Sequence, residues 1–252
     1  MPNGMKYAII IPHKISIDKR GKRGAMKIYG IEKYSLVDYD GYVACTLFTG
    51  GCNLRCPFCH NASLVTGVGA KALDEEEIFA YLRMRKGLVD AVCVTGGEPT
   101  LHRDLPELLV RIRALGYRIK LDTNGTKPDV LAALLEAGLV DYVAMDVKNA
   151  PSAYPKTAGV EVDIAAIERS IALLKEGKVD YEFRTTVVAG YHTPQEIGQI
   201  AAWIAGAKRY FLQPFADHGT NLTPGLSGVS EEMLGEMQRQ AQAYVPTKIR
   251  SL

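Results

Sequence analysis

Strand-like and helix-like segments alternate along this 252-residue chain, and the alternation predicts an α/β fold with parallel strands. Three observations carry that expectation. From residue 43 onward, short apolar or β-branched runs recur between stretches with apolar residues at helical spacing. Strands separated by helices are joined by right-handed crossovers, which makes neighbouring strands parallel. The polar and glycine-rich clusters fall just after predicted strands, the end where doubly wound sheets and barrels both keep their chemistry. A doubly wound sheet and a barrel, complete or not, satisfy all three.

The elements follow in order. Residues 42–48 read as a buried strand that runs directly into Gly50-Gly51-Cys52-Asn53-Leu54-Arg55-Cys56-Pro57-Phe58-Cys59-His60-Asn61. Asp74 caps the next helix, with Glu77 three residues on. Residues 91–94 form a second strand ending at Thr95-Gly96-Gly97-Glu98-Pro99. Leu105, Leu108, Leu109, Ile112 and Leu115 mark one face of a helix that Gly116 stops. A third strand, 117–121, leads to Asp122-Thr123-Asn124-Gly125, and a helix through Val130, Leu131, Leu134 and Leu135 closes at Gly138. Residues 141–147 give a fourth strand ending at Asp146-Val147-Lys148. Ile164, Ile167, Ile171 and Leu174 define another helix, and 181–188 a fifth strand. Thr193-Pro194-Gln195-Glu196 carries a cap, a proline at the first helical position and a glutamate at the third. Residues 210–213 are a sixth strand, and Ser230 caps a last helix through Leu234, Met237 and Ala241.

Composition narrows the class. A hydrophobic content of 47% with 23% charged residues belongs to a well-cored globular chain, and one domain is the expected count. A formal charge of +2 advertises neither nucleic acid nor a membrane surface. Tyr7-Ala8-Ile9-Ile10-Ile11 is too short for a signal-peptide core, so a reducing cytoplasm is the expected compartment. Residues 1–25, basic through Lys14, Lys19, Arg20, Lys22 and Arg23, read as an extension before a fold that begins at Met26.

Three of the five cysteines lie within eight residues, and an odd count in a reducing compartment points to metal or catalysis rather than disulfides. Zinc would need a fourth ligand from His60, Cys45 or Cys93, and His60 adjoins Cys59 while the other two lie in apolar strands. Cys56-Pro57-Phe58-Cys59-His60 also matches the haem-attachment pattern, which leaves Cys52 unexplained. A four-iron cluster held by Cys52, Cys56 and Cys59 uses all three thiolates and leaves one iron open for chemistry.

Cys52-x3-Cys56-x2-Cys59, with Phe58 before the last cysteine, resembles the signature of the radical S-adenosylmethionine enzymes. The resemblance implies a partial (β/α)6 barrel, a [4Fe–4S] cluster and S-adenosylmethionine, whose reductive cleavage gives a 5′-deoxyadenosyl radical. It implies that Gly96, Gly97 and Glu98 bind the methionine amino group, where glycines allow close backbone approach and a carboxylate suits an ammonium. The flanking residues are similar to the glycyl-radical-enzyme activases of pyruvate formate-lyase and anaerobic ribonucleotide reductase. On that likeness, Asp122, Asn124, Asp146 and Lys148 line the cofactor and substrate-peptide site, and residues 183–188 pass beneath the adenosine. The stretch 26–41 resembles the ribonucleotide reductase branch, with a short leading strand and Ser35-Leu36-Val37-Asp38-Tyr39. The expected partners are a glycyl radical enzyme and a flavodoxin- or ferredoxin-type reductant. Gln213-Pro214-Phe215-Ala216 departs from the formate-lyase activase pattern, which has a histidine where Ala216 stands. A small-molecule substrate, as in the deazaguanine synthases, is the alternative, and a non-catalytic iron–sulfur or zinc protein is the third reading.

Other residues have plainer expected roles. Cys45 and Cys93 are small core side chains, Trp203 is core, and Glu75 to Glu77 form a solvated first turn. Asp122 is a helix cap or a site residue in equal measure. Asp146 and Lys148 share one side of an extended strand, and Arg184 inside a strand needs an anionic partner.

Overall fold

A computed structural model describes residues 26–66 and 71–250. The basic stretch and Tyr7–Ile11 lie outside the described residues. Eight strands form one sheet in strictly sequential order. They are β1 (Ile28–Ser35), β2 (Ala44–Thr49), β3 (Ala91–Gly96), β4 (Arg118–Thr123), β5 (Tyr142–Asp146), β6 (Asp180–Val187), β7 (Tyr210–Pro214) and β8 (Thr247–Ile249). β1 is antiparallel to β2, and every later neighbour is parallel. A doubly wound sheet reverses its strand order at a switch point. This sheet never reverses, so it curls as a partial barrel.

Helices cover the outer face. They are α1 (Ala62–Thr66), α2 (Glu75–Met84), α3 (Leu105–Ala114), α4 (Pro128–Glu136), α5 (Tyr154–Ala158), α6 (Ile164–Lys175), α7 (Pro194–Trp203) and α8 (Glu231–Gln242). The caps expected at Asp74, Thr193 and Ser230 are formed, and Thr193 with Glu196 makes a full capping box. The six expected strands are β2 to β7, with no bound more than two residues from its expected place. β8 and the five-residue α1 and α5 are additions to that expectation.

Alternation along the strands sorts side chains between two environments. Ile119, Leu121, Val143, Met145, Phe183 and Leu212 point outward into the main core under the helices. The inward face is different. A second, small cluster of Tyr39, Tyr142, Ala44, Ala91 and Ala144 plugs the bottom of the barrel, with the Tyr39 and Tyr142 rings 5.3 Å apart. Above the plug the lumen is charged. Tyr142 Oη donates to Glu182 at 2.8 Å, and Arg250, just after β8, holds both Glu182 oxygens at 2.8 and 2.9 Å. Arg250 also reaches Asp40 of the β1–β2 turn at 3.4 Å, a charged tie between the two ends of the sheet.

Three plain expectations are corrected. Cys93 is fully buried, but it faces the charged lumen, with Asp122 Oδ1 at 3.7 Å and Lys120 Nζ at 4.0 Å. Trp203 is only half-buried, set edge-on against Tyr154. Glu75 and Glu76 are not merely solvated, because Arg111 of α3 pairs with both.

Candidate active site

The carboxyl ends of β2 to β7 surround a cavity of ≈ 370 Å³. The β2–α1 loop brings Cys52, Cys56 and Cys59 to its wall, and none of the three is in a disulfide. Backbone contacts from distant segments shape that loop. Gly51 N–H donates to Leu64 O at 2.8 Å, Arg55 N–H to Ala158 O at 2.8 Å, and Thr223 N–H to Pro57 O at 2.9 Å. Arg55 folds its guanidinium back onto the Cys52 carbonyl at 2.6 Å. Phe58 is buried at the cavity edge against the rings of Tyr191 and His192. His60 lies against Phe215 and His218 at the mouth.

The turn after β3 is built for close approach. Gly97 N–H donates to Thr49 O, and Glu98 N–H to Gly51 O, each at 2.8 Å. A Cβ on Gly97 would lie 1.9 Å from Gly51 O, and Gly96 has φ +110°, open to glycine alone. Glu98 is 1% exposed, and its carboxylate is occupied by protein donors. Oε1 accepts from Thr100 N–H, Thr100 Oγ1 and Thr123 Oγ1, and Oε2 accepts from Asn124 N–H at 2.6 Å. Burial raises its pKa, and these donors oppose the rise only in part. Gly96 and Gly97 thus offer backbone to the cavity while Glu98 ties two loops together.

A ladder of ion pairs lines the far wall. Lys120 Nζ meets Asp122 Oδ1 at 2.7 Å; Arg184 bridges Asp122 Oδ2 at 3.1 Å and Asp146 Oδ1 at 2.6 Å; Lys148 Nζ meets Asp146 Oδ2 at 3.1 Å. Burial alone would raise the Asp146 pKa. The Arg184 and Lys148 cations outweigh it and hold that carboxyl well below the usual range. Asp122 is lowered in the same way by Arg184 and Lys120 against the same burial penalty. Neither aspartate caps a helix: α4 takes Lys127 as its N-cap, and the short turn after β5 takes Ala150. Asp38 and Glu98 also border the cavity while Lys120 lies behind it, so the ladder leaves the cavity lining no positive surplus.

Every residue singled out in the sequence therefore borders one cavity: Cys52, Cys56, Phe58 and Cys59 on one side, Gly96, Gly97, Glu98 and Asn124 above β3 and β4, and Asp122, Asp146, Lys148 and Arg184 opposite. As site residues the sequence did not single out Asp38, which lines the cavity and accepts from Thr46 Oγ1 at 2.6 Å, or Thr186, nor Lys120 and Asn53, which contact Asp122 and Asn124 from outside the cavity. Thiolates are the ordinary ligands of iron–sulfur clusters, and these three sit on a glycine-cradled cavity, so the residues present fit such a cluster. Burial pushes the Cys56 thiol up to about 11, so cluster binding displaces protons.

A sequential β/α barrel with three cysteines and a glycine cradle at its strand ends defines a cofactor-dependent barrel enzyme. The chain belongs to the radical SAM superfamily, whose family model matches residues 46–204. Its cofactors are accordingly a [4Fe–4S] cluster and S-adenosylmethionine. A protein of Methanocaldococcus jannaschii, provisionally named as a glycyl-radical enzyme activating enzyme, is 33% identical over 193 residues, 75% of this chain and 79% of that one. The 7-carboxy-7-deazaguanine synthase of Halobacterium salinarum is 41% identical over 78 residues, only 31% of this chain and 30% of that one. Among solved structures, a domain of pyruvate-formate lyase-activating enzyme from Bacteroides vulgatus superposes with a TM-score of 0.54 at 19% identity, covering 64% of this chain and 99% of that domain. Streptococcus suis SuiB bound to S-adenosylmethionine gives 0.61 at 16%, covering 80% and 48%. At those identities the structures speak for the fold. No helix among the described residues is long and apolar enough to cross a membrane.

Proposed function

We propose that this enzyme is an activase that takes a hydrogen atom from a backbone glycine of a partner glycyl radical enzyme, with anaerobic ribonucleotide reductase as the first candidate. The observation that carries this reading is the reach of the M. jannaschii likeness, which spans three-quarters of the chain. The deazaguanine synthase likeness is higher but local, and it supports the second reading, a small-molecule substrate.

Cys52, Cys56 and Cys59 are the residues that would hold the cluster, with S-adenosylmethionine beside it. When bound, the pair supplies one-electron cleavage of a sulfonium and a radical able to abstract hydrogen. The chain's own residues do the positioning. Gly96 and Gly97 present bare backbone to the cofactor's amino end, and Glu98 fixes that backbone in place. The Lys148 ammonium, at the cavity wall and paired with Asp146, has further N–H donors that would suit a carboxylate. The tyrosine plug closes the lumen floor below the site. A flavodoxin- or ferredoxin-type protein is the proposed electron source.

The test is an anaerobic electron-spin spectrum of the reduced, cluster-loaded chain mixed with S-adenosylmethionine and candidate glycyl radical enzymes. A protein-based glycyl signal is the expected result. Formation of 5′-deoxyadenosine without that signal, while a deazaguanine precursor is consumed, would replace the activase reading with the second one.

A further inference from the structure

Three side chains at the base of the thiol loop close a ring of hydrogen bonds. Asn53 Nδ2 donates to Thr126 Oγ1 at 2.8 Å, Thr126 Oγ1 donates to Asn124 Oδ1 at 2.7 Å, and Asn124 Nδ2 donates back to Asn53 Oδ1 at 3.0 Å. The backbone decides which way round the Asn124 amide sits. Thr126 N–H can only donate, and it reaches Asn124 Oδ1 at 3.0 Å, so the other end must be the NH2 group. On its main-chain side Asn124 is held by Glu98 Oε2. The residue is 5% exposed.

An amide NH2 has two hydrogens, and the ring uses one of them. Cys52 Sγ lies 3.8 Å from Asn124 Nδ2, within reach of the second, and Leu54 N–H reaches the same sulfur at 3.4 Å. Among the hydrogen bonds of the described residues, no other side chain donates to a sulfur of the triad.

We propose that Asn124 is a positioning residue that sets the reduction potential of the cluster by donating its second amide N–H to Cys52 Sγ. The inference rests on the reading that Cys52, Cys56 and Cys59 hold a cluster. Reduction adds negative charge that spreads onto the sulfur ligands, and an N–H dipole aimed at one of them stabilises the reduced form more than the oxidised form. Asn124 is buried and Cys52 half-buried, so the dipole is only partly screened. The three-membered ring also holds the amide in one orientation.

The experiment is an anaerobic redox titration of the full chain carrying its reconstituted cluster, followed by electron-spin resonance. Asn124→Leu keeps the volume and loses the donor. At the parent's midpoint its reduced-to-oxidised ratio should fall about tenfold, which is ~59 mV for a one-electron couple. Asn124→Asp keeps the acceptor for Thr126 and turns a carboxylate oxygen toward the sulfur, so its ratio should fall further. A parent midpoint in either variant, at normal iron and sulfide content, overturns the proposal. Failure of both variants to hold a cluster also overturns it, in favour of a purely structural role. A parent chain that takes up no four-iron cluster refutes the ligand reading instead, a result that iron and sulfide analysis reports separately.

Discussion

Arg184 is the residue on which the far wall turns, because one guanidinium satisfies two partly buried aspartates from neighbouring strands. Replacing Asp146 by Asn removes a charged acceptor from both Arg184 and Lys148, at a cost of about 2 kcal/mol in the cluster-free chain. The pH dependence has a definite sign. A carboxyl whose folded pKa is lowered contributes stability above its unfolded value near ~4, and loses it as the pH falls toward the folded value. The stability gap between parent and Asp146→Asn, read by urea denaturation, should therefore be flat from about pH 8 to 5 and narrow below about 4. A gap that widens in acid would show that Asp146 is not held ionised. Lys120 shows why part of this wall escaped the sequence. Flanked by Ile119 and Leu121, it looks like the solvent-facing member of an alternating strand, and a period of two does not distinguish solvent from a barrel lumen. Asp146 and Lys148 were readable because they close a strand, where a polar pair stands out.

The decisive element-scale feature is the contact between the β2–α1 loop and the turn after β3. Two backbone hydrogen bonds hold them together, and Gly97 lets Gly51 O approach. The conflict that Gly97→Ala creates is with backbone rather than a flexible side chain, so one loop must move. The variant should keep its far-ultraviolet spectrum and lose most of its iron on reconstitution; parent-level iron would mean that the two loops can separate without harm. Helices with formed caps were legible because a cap and a periodic face are local signals. β8 was not, since the three residues Thr247–Ile249 are too few to show a repeated alternation and take their order from pairing with β7. α1 and α5 are a turn or so each and owe their shape to tertiary contacts.

At the scale of the whole molecule, the sequential sheet order made the barrel readable, because each unit pairs with the next and the helical spacing repeats. The interior was not readable in the same way. A barrel core is ordinarily layered with apolar side chains, whereas this one carries ions from Glu182 up to Lys148. Breaking one member of such a network strands a buried charge. Arg250→Ala leaves Glu182, 1% exposed, with Tyr142 as its remaining donor. The expected loss is about 3 kcal/mol, measured as a lowered urea midpoint, and it should be restored in the double variant Arg250→Ala with Glu182→Gln. No recovery in the double variant would locate the cost in lost packing of Arg250 over the Phe211 ring.

The thiol loop, finally, has a history written into its contacts. Its sulfurs belong to residues 52–59, but the groups that wall it in arrive much later along the chain: Ala158 at Arg55, Tyr191 and His192 at Phe58, and Thr223 at Pro57. During synthesis from the amino end, the loop therefore leaves the ribosome well before its enclosure exists. Three adjacent thiols then stand open to oxidants and stray metal ions until roughly the last strand is made. Any factor that protects or loads this loop has its opportunity in that interval.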